Sequence, residues 1–152
     1  MPYASAEILG NYLAPKLNGI VEFYPWLDGT LVKVEVANLP PTREAFGGSV
    51  AVGPFFAFHI HAGGSCGDAS SKFESSMGHY NPTNQQHPLH AGDLPVLLSN
   101  NGYAFMTVYT NRFKPSDIIG KTVIIHLHAD DYATQPSGNA GERIGCGGII
   151  KK

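Results

Sequence analysis

The chain has 152 residues, a formal net charge of -2 and 43% apolar residues, which together predict one globular domain spanning residues 1–152. The small net charge gives no reason to expect nucleic acid or an anionic membrane as a partner, and no apolar run is long enough to span a bilayer. Charged residues make up only 14% beside 18 Gly and 11 Pro, which favours a turn-rich β protein over a helical bundle.

The N-terminal segment lacks a basic stretch followed by an apolar stretch, so we expect no secretory leader in the sequence as it stands. Two localisations follow: cytoplasmic, or exported to the periplasm or extracellular space if a leader has been removed. The two cysteines, Cys66 and Cys146, could form one disulfide or stay reduced, and their spacing does not decide between these states.

Short strand-like runs separated by Gly, Pro, Asn and Asp recur along the chain, a pattern typical of an all-β sandwich or barrel. Residues 18–24 are rich in branched and aromatic side chains, and residues 30–36 alternate apolar with charged ones. Both runs predict strands. Asp28-Gly29 indicates a turn between them, in a connection from Pro25 to Gly29 that is longer than a tight two-residue hairpin.

The run Phe55–His61 predicts the next strand, and its period of two separates histidines from apolar residues. His59 and His61 project from one face, while Phe56, Phe58 and Ile60 project from the face expected to meet the core. Two imidazoles on one rigid face are half of a metal site, since neutral imidazole suits copper and zinc. A pair of solvated surface histidines is the alternative interpretation.

Residues 62–95 show no sustained period and are dominated by Gly, Ser, Asn, Pro and His. A loop of this length in a compact domain is usually functional or disordered, and its histidines, aspartates and cysteine predict a loop ordered by metal and disulfide. His87, His90 and Asp93 are three potential ligands within seven residues. With one more ligand they fit a closed, four-coordinate zinc site.

The C-terminal third predicts three more strands and a second polar loop. Asn101-Gly102 indicates a turn before the first of these strands, and Pro115 begins a predicted single helical turn. On the middle strand, His126 and His128 share a face. The strands are predicted at residues 103–110, 121–128 and 144–150, and the loop at residues 130–141.

These segments resemble the metal-binding segments of copper/zinc superoxide dismutases. Phe58–His61 is similar to the family's Phe-His-x-His strand, and Gly78–Pro82 is similar to the element that holds its bridging histidine. The second loop, from Asp131 to Asn139, is several residues shorter than in the familiar eukaryotic enzymes, which points to a bacterial-like member. Further matches, in order and at family-like spacing, are His87, His90–Asp93, Ile125-His126, Ala129–Asp131 and Gly138–Gly147.

The resemblance implies a role for each matched residue. Asp130 is expected to accept hydrogen bonds from one copper and one zinc histidine, and Arg143 to lie beside the open copper position. Cys66 and Cys146 are expected to form a disulfide. The implied ligands are His59, His61, His79 and His126 for one copper per subunit, and His79, His87, His90 and Asp93 for one zinc per subunit.

The fold implied by the resemblance is a Greek-key β-barrel, or immunoglobulin-like sandwich, of about eight antiparallel strands with two long functional loops. The implied activity converts two superoxide ions to O₂ and H₂O₂ by Cu(II)/Cu(I) cycling. Arg143 and His79 are the expected catalytic residues. Arg143 is expected to supply a fixed positive charge for the small anion, and His79 is expected to leave copper on reduction and to take up a proton. Zinc is expected to order the loop and to tune His79.

The sequence leaves alternatives for the function, for the oligomeric state and for the role of His128. A non-catalytic relative that stores or delivers copper and zinc is the alternative function, although such a relative is expected to have lost a copper ligand or Arg143. The family often forms homodimers, but the sequence leaves the oligomeric state undecided. His128 stands where the family often has lysine, and we expect a partly exposed residue that is not a ligand.

Overall fold

The computed structural model describes residues 1–152 and contains nine antiparallel strands in one sheet, which curves into a nearly closed barrel. The spatial order is β5-β4-β7-β8-β1-β2-β3-β6, and β9 pairs with β1. No helix in the structure has the length and apolar character needed to cross a membrane. The strands are β1 (Ala4–Gly10), β2 (Asn18–Trp26), β3 (Gly29–Ala37), β4 (Phe55–His61), β5 (Asp93–Leu98), β6 (Ala104–Thr110), β7 (Thr122–His126), β8 (Arg143–Gly148) and β9 (Ile150–Lys151).

The all-β barrel expected from the sequence is confirmed, with its Greek-key character visible in the connections. β3 pairs with β6 although β4 follows it in the chain, and β4 pairs with β7 as well as with β5. Such crossovers bring distant segments side by side. As a consequence, β4 and β7, which carry the strand histidines, are direct neighbours.

The sequence does not predict β1 or β5 as strands, and each omission has a physical reason. β1 contains two alanines, which have weak strand preference, yet Ala4, Ala6 and Ile8 are buried in the core. β5 begins at Asp93, so the predicted loop over residues 62–95 runs too far. Pro95 argues against a central strand, but β5 lies at the sheet edge, where a missing N–H is tolerated.

The connection between β2 and β3 is shorter than predicted. Trp26 pairs with Gly29, which leaves only Leu27 and Asp28 in the turn. Leu27 adopts a left-handed conformation with φ of 49°, as tight hairpin turns of the primed types require. The expectation of a longer connection from Pro25 is therefore wrong, because β2 continues through Pro25 and Trp26.

β4 separates an apolar face from a histidine face, as its alternation predicts. Phe56, Phe58 and Ile60 are fully buried in a core cluster of 24 residues inside the barrel. His59 and His61 on the opposite face are also buried, with exposed fractions of 0% and 1%. They are therefore not solvated surface histidines. The long loops cover this outer face of the barrel wall.

The loop between β4 and β5 is ordered by its own contacts with the barrel. Tyr80 N donates to Ile60 O (2.8 Å), and Ile60 N donates to Gly92 O (2.9 Å). A Cβ on Gly92 would lie 2.2 Å from Ile60 O, so only glycine permits this close approach. The disulfide between Cys66 and Cys146 fastens the loop to β8, as the resemblance implies.

Candidate metal centre

Four histidines from three segments meet on the outer face of the barrel wall. His59 and His61 come from β4, His126 comes from the end of β7, and His79 comes from the loop, where it forms an isolated β-bridge with His61. One ring nitrogen from each of the four lies within 4.8 Å of the others. Because β4 and β7 are paired and the loop is fastened beside them, residues up to 67 positions apart form one cluster, which we call the four-histidine cluster.

A second cluster contains three histidines and one carboxylate, from His79, His87, His90 and Asp93. His79 Nδ1 lies 2.7 Å from Asp93 Oδ1 and 3.1 Å from His90 Nδ1. His87 Nδ1 lies 3.0 Å from Asp93 Oδ2, but the two atoms are not aligned as a hydrogen bond. We call this set the three-histidine–aspartate cluster, and His79 belongs to both clusters.

Backbone carbonyl groups determine which nitrogen of His61 and His126 carries the proton. His61 Nδ1 donates to Met77 O at 2.7 Å, and His126 Nδ1 donates to Gly141 O at 3.1 Å. In the neutral rings, both Nε2 atoms then carry lone pairs. These Nε2 atoms lie 3.3 Å apart, so two lone pairs converge on one point, which is an arrangement that a cation stabilises.

Asp130 orients one histidine of each cluster. Its Oδ2 accepts from His59 Nε2 at 2.7 Å, and its Oδ1 accepts from His87 Nε2 at 2.8 Å. Both rings must therefore present an unprotonated Nδ1 on the other side. A carboxylate that fixes ring orientation in this way is typical of the residues behind metal-binding histidines.

Three buried ring nitrogens have no hydrogen-bond partner: His59 Nδ1, His79 Nε2 and His87 Nδ1. Unpartnered polar atoms in a protein interior are rare and unfavourable. Each of the three belongs to a cluster and points its lone pair to the other members. The residues present therefore fit two metal ions, one in each cluster, that share His79.

The protonation states also suit metal binding. Burial lowers the pKa of His59, and it holds the pKa of His61 and His126 well below the ordinary value, so these rings are neutral. Burial acts to raise the pKa of Asp130, but hydrogen bonds from His59 and His87 outweigh it and lower the pKa to about 2. Neutral imidazoles beside ionised carboxylates are the forms that bind divalent metals.

Two side chains from other segments hold the backbone of residues 87–90. Gln135 Oε1 accepts from His87 N at 2.9 Å, and Gln135 Nε2 donates to His87 O at 2.6 Å. Arg112 Nη1 donates to Pro88 O at 2.9 Å and to His90 O at 3.2 Å. Sequence reasoning missed both residues, because a lone polar residue in a loop carries no signal of a contact with a distant segment.

Gly138 allows the second loop to pack against Asp130. It has φ of 72°, and a Cβ at this position would lie 1.9 Å from Asp130 Oδ1 and 2.7 Å from His87 Nε2. The Cβ of any larger residue would clash with both atoms of the hydrogen bond between Asp130 and His87. The shortened loop is thus packed directly onto the residues that orient the two clusters.

Arg143 is the first residue of β8 and pairs with His126 across the sheet. Its side chain is half-buried, and burial lowers the pKa of the guanidinium from its ordinary value, although an arginine stays charged at neutral pH. Nη1 donates to Phe73 O at 2.9 Å and to Ser76 Oγ at 2.7 Å. Arg143 lines an open cavity of about 600 Å³ together with Val50, Lys72, Glu74, His128, Asn139, Gly141 and Glu142.

His128 lies outside both clusters. It is partly exposed on the cavity wall, and its Nδ1 donates to Ala51 O at 3.1 Å. The prediction that it shares a strand face with His126 is wrong, since β7 ends at His126 and the β7–β8 register shifts between Ile125 and His126.

Comparison with known proteins identifies a family. The family described as copper/zinc superoxide dismutase (SODC) matches residues 17–149. "Superoxide dismutase [Cu-Zn] 1" of Aquifex aeolicus is 34% identical over 148 residues, covering 88% of this chain and 79% of that protein. "Superoxide dismutase [Cu-Zn]" of Legionella pneumophila is 36% identical over 145 residues, covering 90% and 80%.

Solved structures show the same fold. The Cu/Zn superoxide dismutase from Brucella abortus superposes with a TM-score of 0.75 at 25% identity, covering 95% of this chain and 98% of that one. A SOD-like protein from Bacillus subtilis superposes with a TM-score of 0.77 at 31% identity, covering 95% and 96%. The barrel thus occurs both in a protein named for the enzyme and in one named only for its likeness to it.

Proposed function

This chain belongs to the copper/zinc superoxide dismutase family, and we propose that residues 1–152 form one domain whose two clusters hold the metals for its activity. The activity is that of a superoxide dismutase, which converts two superoxide ions and two protons to O₂ and H₂O₂. The residue-level proposal rests on the positions of the two ring nitrogens of His79. Its Nδ1 lies in the three-histidine–aspartate cluster, while its buried Nε2 has no hydrogen-bond partner and belongs to the four-histidine cluster.

The two clusters have different donor sets, which supports one copper and one zinc per subunit. Three imidazoles with one carboxylate match the closed, four-coordinate sites that zinc prefers, and this is the set His79, His87, His90 and Asp93. An all-imidazole set suits copper, and this is the set His59, His61, His79 and His126. When bound, copper supplies one-electron transfer by alternating between Cu(II) and Cu(I).

The protein residues around the clusters bind the anion and handle the proton. Arg143 offers superoxide a fixed positive charge beside His126, and its guanidinium donors suit a small anion. His79 can hold a proton at Nε2 when that atom is not bound to metal, and can deliver it to the reduced substrate. Asp130 keeps His59 and His87 in the orientation that both clusters need.

The test is superoxide dismutation by the copper- and zinc-loaded protein and by its His126→Ala variant. His126→Ala removes one Nε2 donor of the four-histidine cluster, and we expect the activity to be abolished while zinc binding persists. Leu98→Ala is a matched control, because it truncates a half-exposed side chain on edge strand β5 away from both clusters. Full activity of His126→Ala, or none in the fully loaded wild type, would overturn the assignment.

A non-catalytic metal-binding relative is the second candidate, favoured by the likeness to the SOD-like protein of Bacillus subtilis. Against it, this chain keeps Arg143 and all four histidines of the four-histidine cluster. The two candidates differ in one result: a storage or delivery protein binds both metals without accelerating superoxide decay.

The proposal extends to the substrate, the oligomeric state and the cellular compartment. Superoxide is the small anionic partner. A homodimer is supported by exposed apolar side chains on one barrel face: Leu9 on β1, Ile20 on the adjacent β2, and Phe105 on β6, which is separated from Ile20 by Glu35 of β3. The disulfide supports the exported localisation over the cytoplasmic one, because disulfides persist in oxidising compartments. Sedimentation equilibrium and fractionation of the producing cells test these two points.

A further inference from the structure

The Arg143 guanidinium is held at one end only. Its Nη1 donates to Phe73 O at 2.9 Å and to Ser76 Oγ at 2.7 Å. The other guanidinium nitrogens, Nη2 and Nε, donate to no protein atom, and the side chain lines the cavity of about 600 Å³. The free edge of the guanidinium is therefore available to an anion in this cavity.

Ser76 is built to accept this hydrogen bond. Its side chain is fully buried, and its hydroxyl hydrogen is donated to Phe73 O at 2.6 Å, so that Oγ presents a lone pair to Arg143. Its backbone is fixed on both sides, because Ser76 N donates to Phe73 O and Gly63 N donates to Ser76 O. The acceptor thus has a defined position before any anion arrives.

We propose that Ser76 is a positioning residue that sets the plane of the Arg143 guanidinium for anion binding. This inference rests on the proposed function, in which Arg143 binds superoxide. A single hydrogen bond to Phe73 O would leave the planar group free to pivot about that contact, whereas the second acceptor, Ser76 Oγ, restricts this rotation. Binding groups held in the productive geometry lose less freedom when the substrate binds.

The charges around the cavity show why the orientation matters. Glu74 and Glu142 line the same cavity as Arg143, and the Glu74 carboxylate acts to raise the pKa of the arginine. A guanidinium that is free to turn can pair with these carboxylates instead of with an anionic substrate. Ser76 therefore keeps the Arg143 charge available to the anion.

The experiment compares azide binding and superoxide kinetics in the copper- and zinc-loaded wild type and the Ser76→Ala variant. Azide is the anionic probe, followed by optical titration. Loss of one hydrogen bond predicts azide affinity and kcat/KM lower by about threefold to tenfold, with metal content and thermal midpoint close to the wild type. Ser75→Ala is the matched control, because the neighbouring Ser75 is exposed and its side chain makes no hydrogen bond.

A double-mutant cycle separates a positioning role from a purely structural one. If Ser76 acts through Arg143, then Ser76→Ala lowers azide affinity in the wild type but not in an Arg143→Gln background. Azide affinity equal to the wild type in Ser76→Ala, or an equal loss in both backgrounds, would overturn the inference. Neither result affects the proposed function, which fails if the loaded wild type does not dismutate superoxide or if His126→Ala keeps full activity.

Discussion

His79 and Asp130 connect the two clusters at the scale of single residues. His79 contributes one ring nitrogen to each cluster, and Asp130 holds one histidine of each through its two oxygens. A change at either residue is therefore expected to affect both metal sites together. Changes at His61 or His90, which belong to one cluster each, are expected to act mainly on that cluster.

Asp130→Asn tests the orienting role. The amide replaces one acceptor oxygen with an NH₂ group, so either His59 or His87 loses its acceptor and faces a second donor. Loss of such an orienting partner typically weakens metal affinity by about 10-fold to 100-fold, and here we expect both copper and zinc to be affected. Chelator competition for each metal measures the change.

Asp131→Asn is the control for Asp130→Asn, because Asp131 is exposed and its carboxylate accepts only from Ala133 and Thr134 in its own loop. Unchanged copper and zinc affinities in Asp130→Asn would show that the clusters do not depend on ring orientation by this carboxylate.

The ligand-cluster residues could be predicted from the sequence because their order and spacing form a pattern that the family shares. Ser76 and Gln135 could not, since each acts through a contact with a residue distant in the chain. Ser76 meets Arg143 across 67 positions, and Gln135 meets His87 across 48. Serine and glutamine in polar loops have many possible partners, and only the folded chain determines which one is used.

Loop packing governs the site at the scale of elements. The second loop is short and has no acidic residue after Asp131 up to Asn139, but it contacts the first loop through Gln135 and packs on Asp130 at Gly138. Gln135 is the sole hydrogen-bond partner of both backbone polar groups of His87, which is itself buried. The second loop therefore holds a residue of the three-histidine–aspartate cluster in place.

Gln135→Ala tests this contact between the loops. It removes the hydrogen-bond partner of His87 N–H and C=O, and we expect zinc affinity about threefold to tenfold lower, the range for losing hydrogen bonds of modest net strength. Transfer of zinc to a chromogenic chelator measures the affinity. Gln86→Ala is the matched control, because Gln86 is adjacent to His87 but its side chain makes no hydrogen bond. Equal zinc affinity in the two variants would contradict the role of Gln135.

Element boundaries were harder to predict than ligands. The first three residues of β5 fall in the predicted loop 62–95, because that stretch shows no sustained period. The predicted strand 121–128 begins one residue before β7 and ends two residues after it, because Leu127 and His128 continue the alternating pattern. Pairing decides both cases: β5 uses only one of its edges, and the register shift at His126 ends β7. Partner strands are not visible in a local sequence pattern.

At the scale of the whole molecule, the stabilising core and the candidate metal clusters lie on opposite faces of the same sheet. The apolar core fills the inside of the barrel, while both clusters lie on the outer face of β4 and β7 beneath two loops. The disulfide and the loop hydrogen bonds bring these loops to the barrel wall. The fold could be predicted from strand-like runs and the family resemblance, because the same alternation that buries Phe58 also turns His59 and His61 to the opposite face.

We propose that this chain dismutates superoxide with copper held by His59, His61, His79 and His126. Stopped-flow decay of superoxide, recorded with zinc-loaded protein that carries from zero to one equivalent of copper, tests it most directly. We predict no catalysis with zinc alone and a catalytic rate that rises in proportion to bound copper up to one per chain. Decay no faster than in buffer, from protein with one copper and one zinc per chain, would contradict the account.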